Sequence, residues 1–348
     1  MVEIITSTPT STPASTFKWA KDGGSTETIQ PTYILSEEKR PQLSEVAPGS
    51  IPLIDLSEPE EIIREKVVKA SEEYGIFYLV NHGVDPELCN ETLKAIVEFF
   101  QLPLEQGRGL LHSTDHKKDV KIYNYHEPDG DKRVPGWSEA LTHLWHPSDD
   151  SFLDALPANI PPQYRELIRT YAKEVGVLFA KLFGWLSEGL GLEKEALEKN
   201  MGEKLKFYKM QANFYPPCPN PELTLGLPVH NDMAALTIIR QTEEVTGLNI
   251  IKDGKWMAVE PIPNAFVCNI GDTVEILSNG KYKSVRHRAL TNKENIRVSL
   301  ASFVAPNKET IVGPMKEIVD EQHPPRYETF LYADFHEKYV RPWLHPGK

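Results

Sequence analysis

After Lys204 the chain breaks into short β-prone runs separated by turn residues, and this constrains the fold more than any other feature. The runs are Phe207–Tyr215, Ala234–Gln241, Leu248–Ile251, Lys255–Val259, Ala265–Ile270, Val274–Leu277, Ser284–Ala289 and Arg297–Val304. Asp253-Gly254 and Asn279-Gly280 read as hairpin turns, because these residue types accept positive φ. About eight short strands in about a hundred residues point to a sandwich or barrel, most simply a double-stranded β-helix, or jelly roll.

Upstream the periodicity is different. Ile51–Leu56 reads as a short buried strand, and Glu60–Tyr74 repeats apolar residues at helical spacing through Ile62, Ile63, Val67, Val68 and Ala70. Gly75–Val80 is β-rich and closes on Asn81-His82-Gly83, after which Pro86–Gln101 is again helical. Residues 105–150 have weak periodicity and many His, Asp and Gly residues, as irregular segments bordering a pocket often do. From Pro161 to Gly191 a stripe of Tyr164, Ile168, Tyr171, Val175, Leu178, Leu182 and Leu186 predicts a long helix lying against a sheet. Helices and strands are thus segregated, so the expected class is α+β, mainly β, with a jelly-roll core and flanking helices. The expected layout is a flexible tail and lead-in over 1–50, a helical region over 51–200, the catalytic core over 201–310 and a pocket-covering segment over 311–348, all in one domain.

Charge and cysteine content narrow the function. A net charge of −12 argues against nucleic acid, whose phosphates call for surplus Lys and Arg. Cys89, Cys218 and Cys268 are few, odd in number and far apart, which suggests neither a disulfide framework nor a thiolate zinc site. No apolar run nears the roughly 20 residues that span a bilayer, so no membrane partner is expected. Met1–Thr16 is rich in Ser, Thr and Pro; Glu3 and the lack of Arg favour a disordered tail over a transit peptide, and a cytoplasmic monomer is expected.

The chemistry gathers in the β region. In His230-Asn231-Asp232, residues i and i+2 of a strand would point to one side, so an imidazole and a carboxylate can share an ion. His287 follows about 55 residues later on another expected strand. Two imidazoles and one carboxylate leave adjacent coordination positions open, which suits non-haem Fe(II) that must bind a cosubstrate and O2 together. Arg297 and Ser299, ten and twelve residues beyond His287, would share a strand face, and a guanidinium beside a hydroxyl is a good carboxylate receptor. Singly, each residue has a plainer explanation: a chance His-x-Asp, a solvated histidine, a surface ion pair. Their joint order favours a metal site. Zinc also accepts two His and a carboxylate, but a hydrolytic zinc centre has no use for a dicarboxylate receptor behind it.

Longer motifs carry a family likeness. Over about residues 40–340 the chain resembles the plant 2-oxoglutarate/Fe(II)-dependent dioxygenases, a group including anthocyanidin synthase, flavonol synthase, flavone synthase I and the salicylate hydroxylases tied to downy mildew susceptibility. The likeness rests on Ile51-Pro-Leu-Ile-Asp-Leu56, Tyr74-Gly-Ile-Phe-Tyr-Leu-Val-Asn-His-Gly83, Asn213-Phe-Tyr-Pro-Pro-Cys-Pro219, Leu227-Pro-Val-His-Asn-Asp232, Asn269–Gly280 and Tyr282–His287. It implies that His230, Asp232 and His287 hold Fe(II), and that Arg297 and Ser299 bind the distal carboxylate of 2-oxoglutarate with help from Tyr215. It also implies that Asn213 lies close to the cosubstrate and that Phe303 stacks on the substrate. Without the likeness, Asn213, Tyr215 and Phe303 read as turn or core residues. His82 belongs to a shared motif but reads as structural.

Two positions depart from the family pattern. Asn231 stands where Thr or Ser is commoner, with its side chain expected to point away from the metal. Ala305 stands where anthocyanidin synthase has a carboxylate, which puts that particular activity in doubt. The implied reaction is 2-oxoglutarate- and O2-dependent hydroxylation, desaturation or demethylation of a small aromatic molecule, with ascorbate as reductant. Tyr123, Tyr125, His126 and Trp137 are candidate substrate contacts, though each also reads as ordinary packing, and Phe330 to Trp343 are expected to wall the pocket. A phenolic or flavonoid substrate comes first and an alkaloid or hormone second; the reading from a different class is a binding protein without turnover on the same fold.

Overall fold

A computed structural model describes residues 28–42, 46–47, 49–102, 111, 120–156, 158, 160–202 and 207–344. The tail expected over Met1–Thr16 and most of the expected pocket border over 105–119 lie outside the described residues. In chain order the first half contains β1 (Leu53–Asp55), α1 (Glu60–Glu73), β2 (Ile76–Val80), α2 (Pro86–Gln101), β3 (Lys121–Tyr123), β4 (His126–Asp129), β5 (Lys132–Pro135), β6 (Glu139–Leu144), α3 (Pro162–Gly189) and α4 (Ala196–Asn200). The core strands follow: β7 (Phe207–Tyr215), β8 (Leu227–His230), β9 (Leu236–Gln241), β10 (Leu248–Lys252), β11 (Lys255–Ala258) and β12 (Phe266–Ile270). Next come α5 (Asp272–Leu277), β13 (His287–Ala289), β14 (Arg297–Ala305), β15 (Ile311–Val312), β16 (Phe330–Leu331) and α6 (Tyr332–Leu344).

Two sheets face each other as a jelly roll. The larger has eight strands in the order β1-β2-β12-β9-β14-β7-β6-β3, and the smaller has four in the order β11-β10-β13-β8. Strand alternation turns Ile76, Tyr78, Ile239 and Val267 of the large sheet inward, where they meet Leu248 and Ile250 of β10. The other face of the large sheet is closed by helices. Leu93, Ile96 and Phe100 of α2 and Tyr171, Val175 and Leu178 of α3 pack with Phe214, Ile238, Cys268 and Leu300. Helix α2 starts where the sequence places it because Asp85 accepts from the Glu87 amide at 2.9 Å and Pro86 needs no amide partner there. Phe100 lies 5.1 Å from the Phe214 ring, and truncating it to Ala should cost about 3–5 kcal/mol.

The structure corrects three local expectations. Val274–Leu277 is not a strand but part of α5, which buries Thr273, Val274, Ile276 and Leu277. Four apolar residues in a row suit either form; Gly271 before them and the acidic Asp272 and Glu275 in the first turn favour a helix. Asn279-Gly280 is accordingly no hairpin: both residues have positive φ, and the Gly280 amide reaches back 2.8 Å to the Glu275 carbonyl to end α5. Asp253-Gly254 does form a hairpin, with both φ values positive and Lys252 paired with Lys255. Finally, β8 ends at His230, so Asp232 lies beyond the strand rather than on it.

Candidate active site

The sheet register brings the two histidines together. Strands β8 and β13 pair antiparallel with His230 directly opposite His287, and the two ring centroids are 4.1 Å apart. Each imidazole is aimed by a local bond. His230 Nδ1 lies 2.8 Å from the Pro228 carbonyl and His287 Nδ1 lies 3.0 Å from the Val285 carbonyl. A carbonyl only accepts, so both protons sit on Nδ1 and both Nε2 lone pairs point at the shared space. Asp232 Oδ1 stands 3.7 Å from one Nε2 and 3.8 Å from the other. One ligand atom from each residue lies within 4.8 Å of the others, and among the described residues this is the cluster that could hold a metal ion.

Asp232 is held without a strand. Its Oδ2 accepts from Thr237 Oγ1 at 2.6 Å and from Asn269 Nδ2 at 2.7 Å. Thr237 and Asn269 are register partners on β9 and β12, so one cross-strand pair fixes the carboxylate. Its backbone is clamped too: the Asp232 carbonyl accepts from the Asp272 amide at 2.7 Å, and a Cβ on Gly271 would sit 2.0 Å from the Ala234 carbonyl oxygen. Burial alone would raise the Asp232 pKa, but the two imidazoles and two hydrogen bonds outweigh it and hold the carboxyl below its usual value. Burial, with His287 alongside, lowers the His230 pKa and favours the neutral ring that a metal requires.

Behind this cluster lies Arg297, buried on the inner face of β14. Arg297 Nη2 donates to Gln241 Oε1 at 2.7 Å, and the guanidinium stands 4.8 Å over the Tyr215 ring. Arg297 Nε and Nη1 have no hydrogen-bond partner among the described residues. Buried donors are rarely left so, and a carboxylate would satisfy them. Gly247 makes room for this side chain, since a Cβ there would lie 2.7 Å from Arg297 Cδ. Ser299 shares the face, and its Oγ accepts from Asn213 Nδ2 at 3.3 Å. The four residues expected to meet 2-oxoglutarate are therefore neighbours by register: Arg297 opposes Tyr215 and Ser299 opposes Asn213.

The candidate substrate contacts divide. Tyr123 and Tyr125 both donate to Gln211 Oε1, at 2.8 and 2.6 Å, and Gln211 Nε2 donates to Asn213 Oδ1 at 2.9 Å. Both tyrosines thus join the polar row that ends at Ser299. Phe303 faces inward on β14, with Lys209 Nζ 5.5 Å from its ring centre. Trp137 is not brought to this space: it packs with Ile29, Tyr33 and Cys218 while Nε1 donates to the Pro217 carbonyl at 3.2 Å. An aromatic residue in a weakly periodic stretch gave no hint of which side it would face. His82 also stands apart, with Nε2 2.8 Å from the Asn264 carbonyl and its ring 4.4 Å from Phe266. Asn231 points away from the metal cluster to Ser284 Oγ, 3.1 Å off. Sequence reasoning missed Thr237, Asn269, Gln241, Gln211 and Lys209. The available signal was a lone polar residue inside an apolar strand, as in Leu236-Thr-Ile-Ile239 and Val267-Cys-Asn-Ile270.

Comparison with known proteins places this geometry in a family. Residues 207–306 match the 2OG-Fe(II) oxygenase superfamily, and residues 51–164 match the non-haem dioxygenase in morphine synthesis N-terminal family. A flavonol synthase/flavanone 3-hydroxylase of Arabidopsis thaliana is 39% identical over 317 residues, covering 89% of this chain and 92% of that protein. Protein DOWNY MILDEW RESISTANCE 6 of the same plant is 39% identical over 320 residues, covering 90% and 91%. Among solved structures, JOX2 in complex with 2OG, Fe and JA superposes with a TM-score of 0.80 at 32% identity, covering 90% of each chain. The chain belongs to the 2OG-Fe(II) oxygenase superfamily, dioxygenases that use Fe(II), 2-oxoglutarate and O2.

Proposed function

We propose that His230, Asp232 and His287 hold the Fe(II), that Arg297 and Ser299 grip the far carboxylate of 2-oxoglutarate, and that Tyr215 and Asn213 wall its site. The observation that carries this reading is the buried Arg297 guanidinium, whose Nε and Nη1 have no partner among the described residues, two residues from Ser299 on the strand that pairs with Tyr215 and Asn213. Bound iron with its cosubstrate and O2 supplies the oxidising power, with succinate and CO2 as coproducts. This chain's residues supply position: Pro228 and Val285 carbonyls fix the imidazoles, Thr237 and Asn269 fix the carboxylate, and Arg297 sets the reach of the cosubstrate.

The substrate in this reading is a small aromatic metabolite, phenolic or flavonoid, oxidised by hydroxylation, desaturation or demethylation, with ascorbate keeping the metal reduced. The flavonoid-acting relatives and the aromatic inner face of Phe303, Tyr123 and Tyr125 support it. A hormone substrate is the second reading, favoured by the likeness to JOX2 with JA and to dioxygenase for auxin oxidation 1 of Arabidopsis thaliana, 29% identical with a TM-score of 0.67. The test is a mass-spectrometric screen of phenolic and hormone candidates with purified protein, Fe(II), 2-oxoglutarate and ascorbate. Succinate formed with a product 16 heavier, or 2 or 14 lighter, than one candidate is the expected result. Metal-loaded protein that forms no succinate with any candidate, or without one, would mean a binding protein instead.

A further inference from the structure

The ladder between the two histidine strands stops at the histidines. Strand β8 ends at His230 and β13 begins at His287, and their register shifts between His287 and Ala289. Asn231 and Asp232 on one side, and Ser284, Val285 and Arg286 on the other, therefore lie past the last rung. The cluster depends on these residues: Asp232 is a member of it, and the Val285 carbonyl aims His287. Strand β10 steadies one flank, where the Ile251 amide donates to the Arg286 carbonyl at 2.9 Å. On the flank toward Asp232, strand pairing among the described residues ends with His287.

A ring of bonds takes over there. Asn231 Nδ2 donates to Ser284 Oγ at 3.1 Å and joins the two segments directly. The Ser284 amide donates to Glu275 Oε2, and Glu275 stands on α5. The first amide of α5, that of Asp272, donates to the Asp232 carbonyl at 2.7 Å. A path from Asp232 through α5 to Ser284, then across to Asn231, thus returns to its start. Three of its links are hydrogen bonds, and the helical step from Asp272 to Glu275 is a fixed rise of about 4.5 Å. Glu275 does not swing freely either, because its Oε1 accepts from Tyr327 Oη at 2.7 Å. Its neighbours Val274 and Ile276 are buried in the core, which anchors this stretch of α5.

We propose that Glu275 is a positioning residue for the metal: through Ser284, and with Asn231 closing the ring, it sets how far His287 stands from Asp232. The separation it would hold is the 3.8 Å between Asp232 Oδ1 and His287 Nε2. Metal–ligand bonds vary by only about 0.2 Å, so a loosened segment costs metal affinity. Groups that orient a ligand without touching the metal are typically worth about tenfold to a hundredfold in that affinity. The inference rests on the function proposed above. It also gives a part to Asn231, the residue that departs from the family pattern.

Mn(II) affinity, read calorimetrically on metal-free protein without turnover, tests it. Glu275→Ala and Asn231→Ala should each bind Mn(II) about tenfold or more weakly than the wild type. Glu275→Gln keeps an oxygen for the Ser284 amide and an amide for Tyr327 Oη, and should stay within about threefold. A ring predicts more, because once one link is open the second adds little. The double variant Asn231→Ala/Glu275→Ala should therefore bind no more than about twofold more weakly than the weaker single variant. Unchanged affinity in either alanine variant, a Glu275→Gln loss as large as that of Glu275→Ala, or losses that multiply in the double variant would overturn the ring. If Glu275→Ala does not fold, Asn231→Ala and Glu275→Gln decide. Wild-type protein that binds no Mn(II) would remove the parent reading and this one with it, whereas wild-type binding that Asn231→Ala leaves intact would overturn the ring alone.

Discussion

The two ends of the inner sheet face are built differently. At the end proposed to hold the metal, each candidate ligand is aimed by a short local bond: His230 by Pro228, His287 by Val285, Asp232 by Thr237 and Asn269. At the other end, Lys209, Phe303, Tyr123, Tyr125 and Gln211 are set by strand register and meet mainly one another. The difference teaches that one end is aimed residue by residue at a shared point, while the other is held together by side chains that meet one another across strands. In such a design, changes at the first end should remove the reaction and changes at the second should redirect it.

The largest effect should come from Asp232→Ala. Removing the carboxylate leaves two imidazoles, and succinate formation should fall about a thousandfold or more; near-normal turnover would show that the two ends do not divide the labour as described. Arg297→Met should act next, raising the KM for 2-oxoglutarate on the order of fiftyfold, because a charge-assisted carboxylate contact contributes about 2–3 kcal/mol. An unchanged KM would mean the cosubstrate's tail lies elsewhere.

Lys209→Met sharpens the contrast through stability. The ordinary lysine value is 10.5 and the folded value is about 8, lowered by burial first and then by Lys121, with Asp232 opposing. Between those values the unfolded chain holds more protons, so folding gains stability as pH rises through that window. Lys209 keeps some solvent contact, which screens part of the cost and leaves about 2 kcal/mol. The methionine variant should therefore unfold at higher denaturant than the wild type at pH 7, with the gap closing by about pH 10.5. Equal stability at pH 7 would show that the ammonium is not strained. The smallest effect belongs to Tyr123→Phe, which loses one hydrogen bond to Gln211 and should raise the ratio of succinate formed to substrate oxidised about threefold.

Much of this was legible before the structure, for physical reasons. Pro86–Gln101 and Phe207–Tyr215 matched their sequence-based bounds because long periodic runs leave one assignment open. Val274–Leu277 did not, because four buried apolar residues suit strand and helix alike. The ordered set His230, Asp232, His287, Arg297 and Ser299 stood out because ligand chemistry limits which residue types can serve. Thr237, Asn269 and Gln241 did not, because their roles arise from pairing between strands far apart in sequence. Trp137, read both as a candidate substrate contact and as ordinary packing, is packing, and nothing local tells which way a side chain of the 120–156 region turns.

The most direct measurement is an anaerobic titration of Fe(II) into metal-free protein with 2-oxoglutarate, following the visible charge-transfer band of a 2-oxo acid chelated to Fe(II). The account predicts a band that saturates at one iron per chain, vanishes in His287→Ala, and in Arg297→Met forms only at much higher 2-oxoglutarate. A band of undiminished strength in His287→Ala would contradict it.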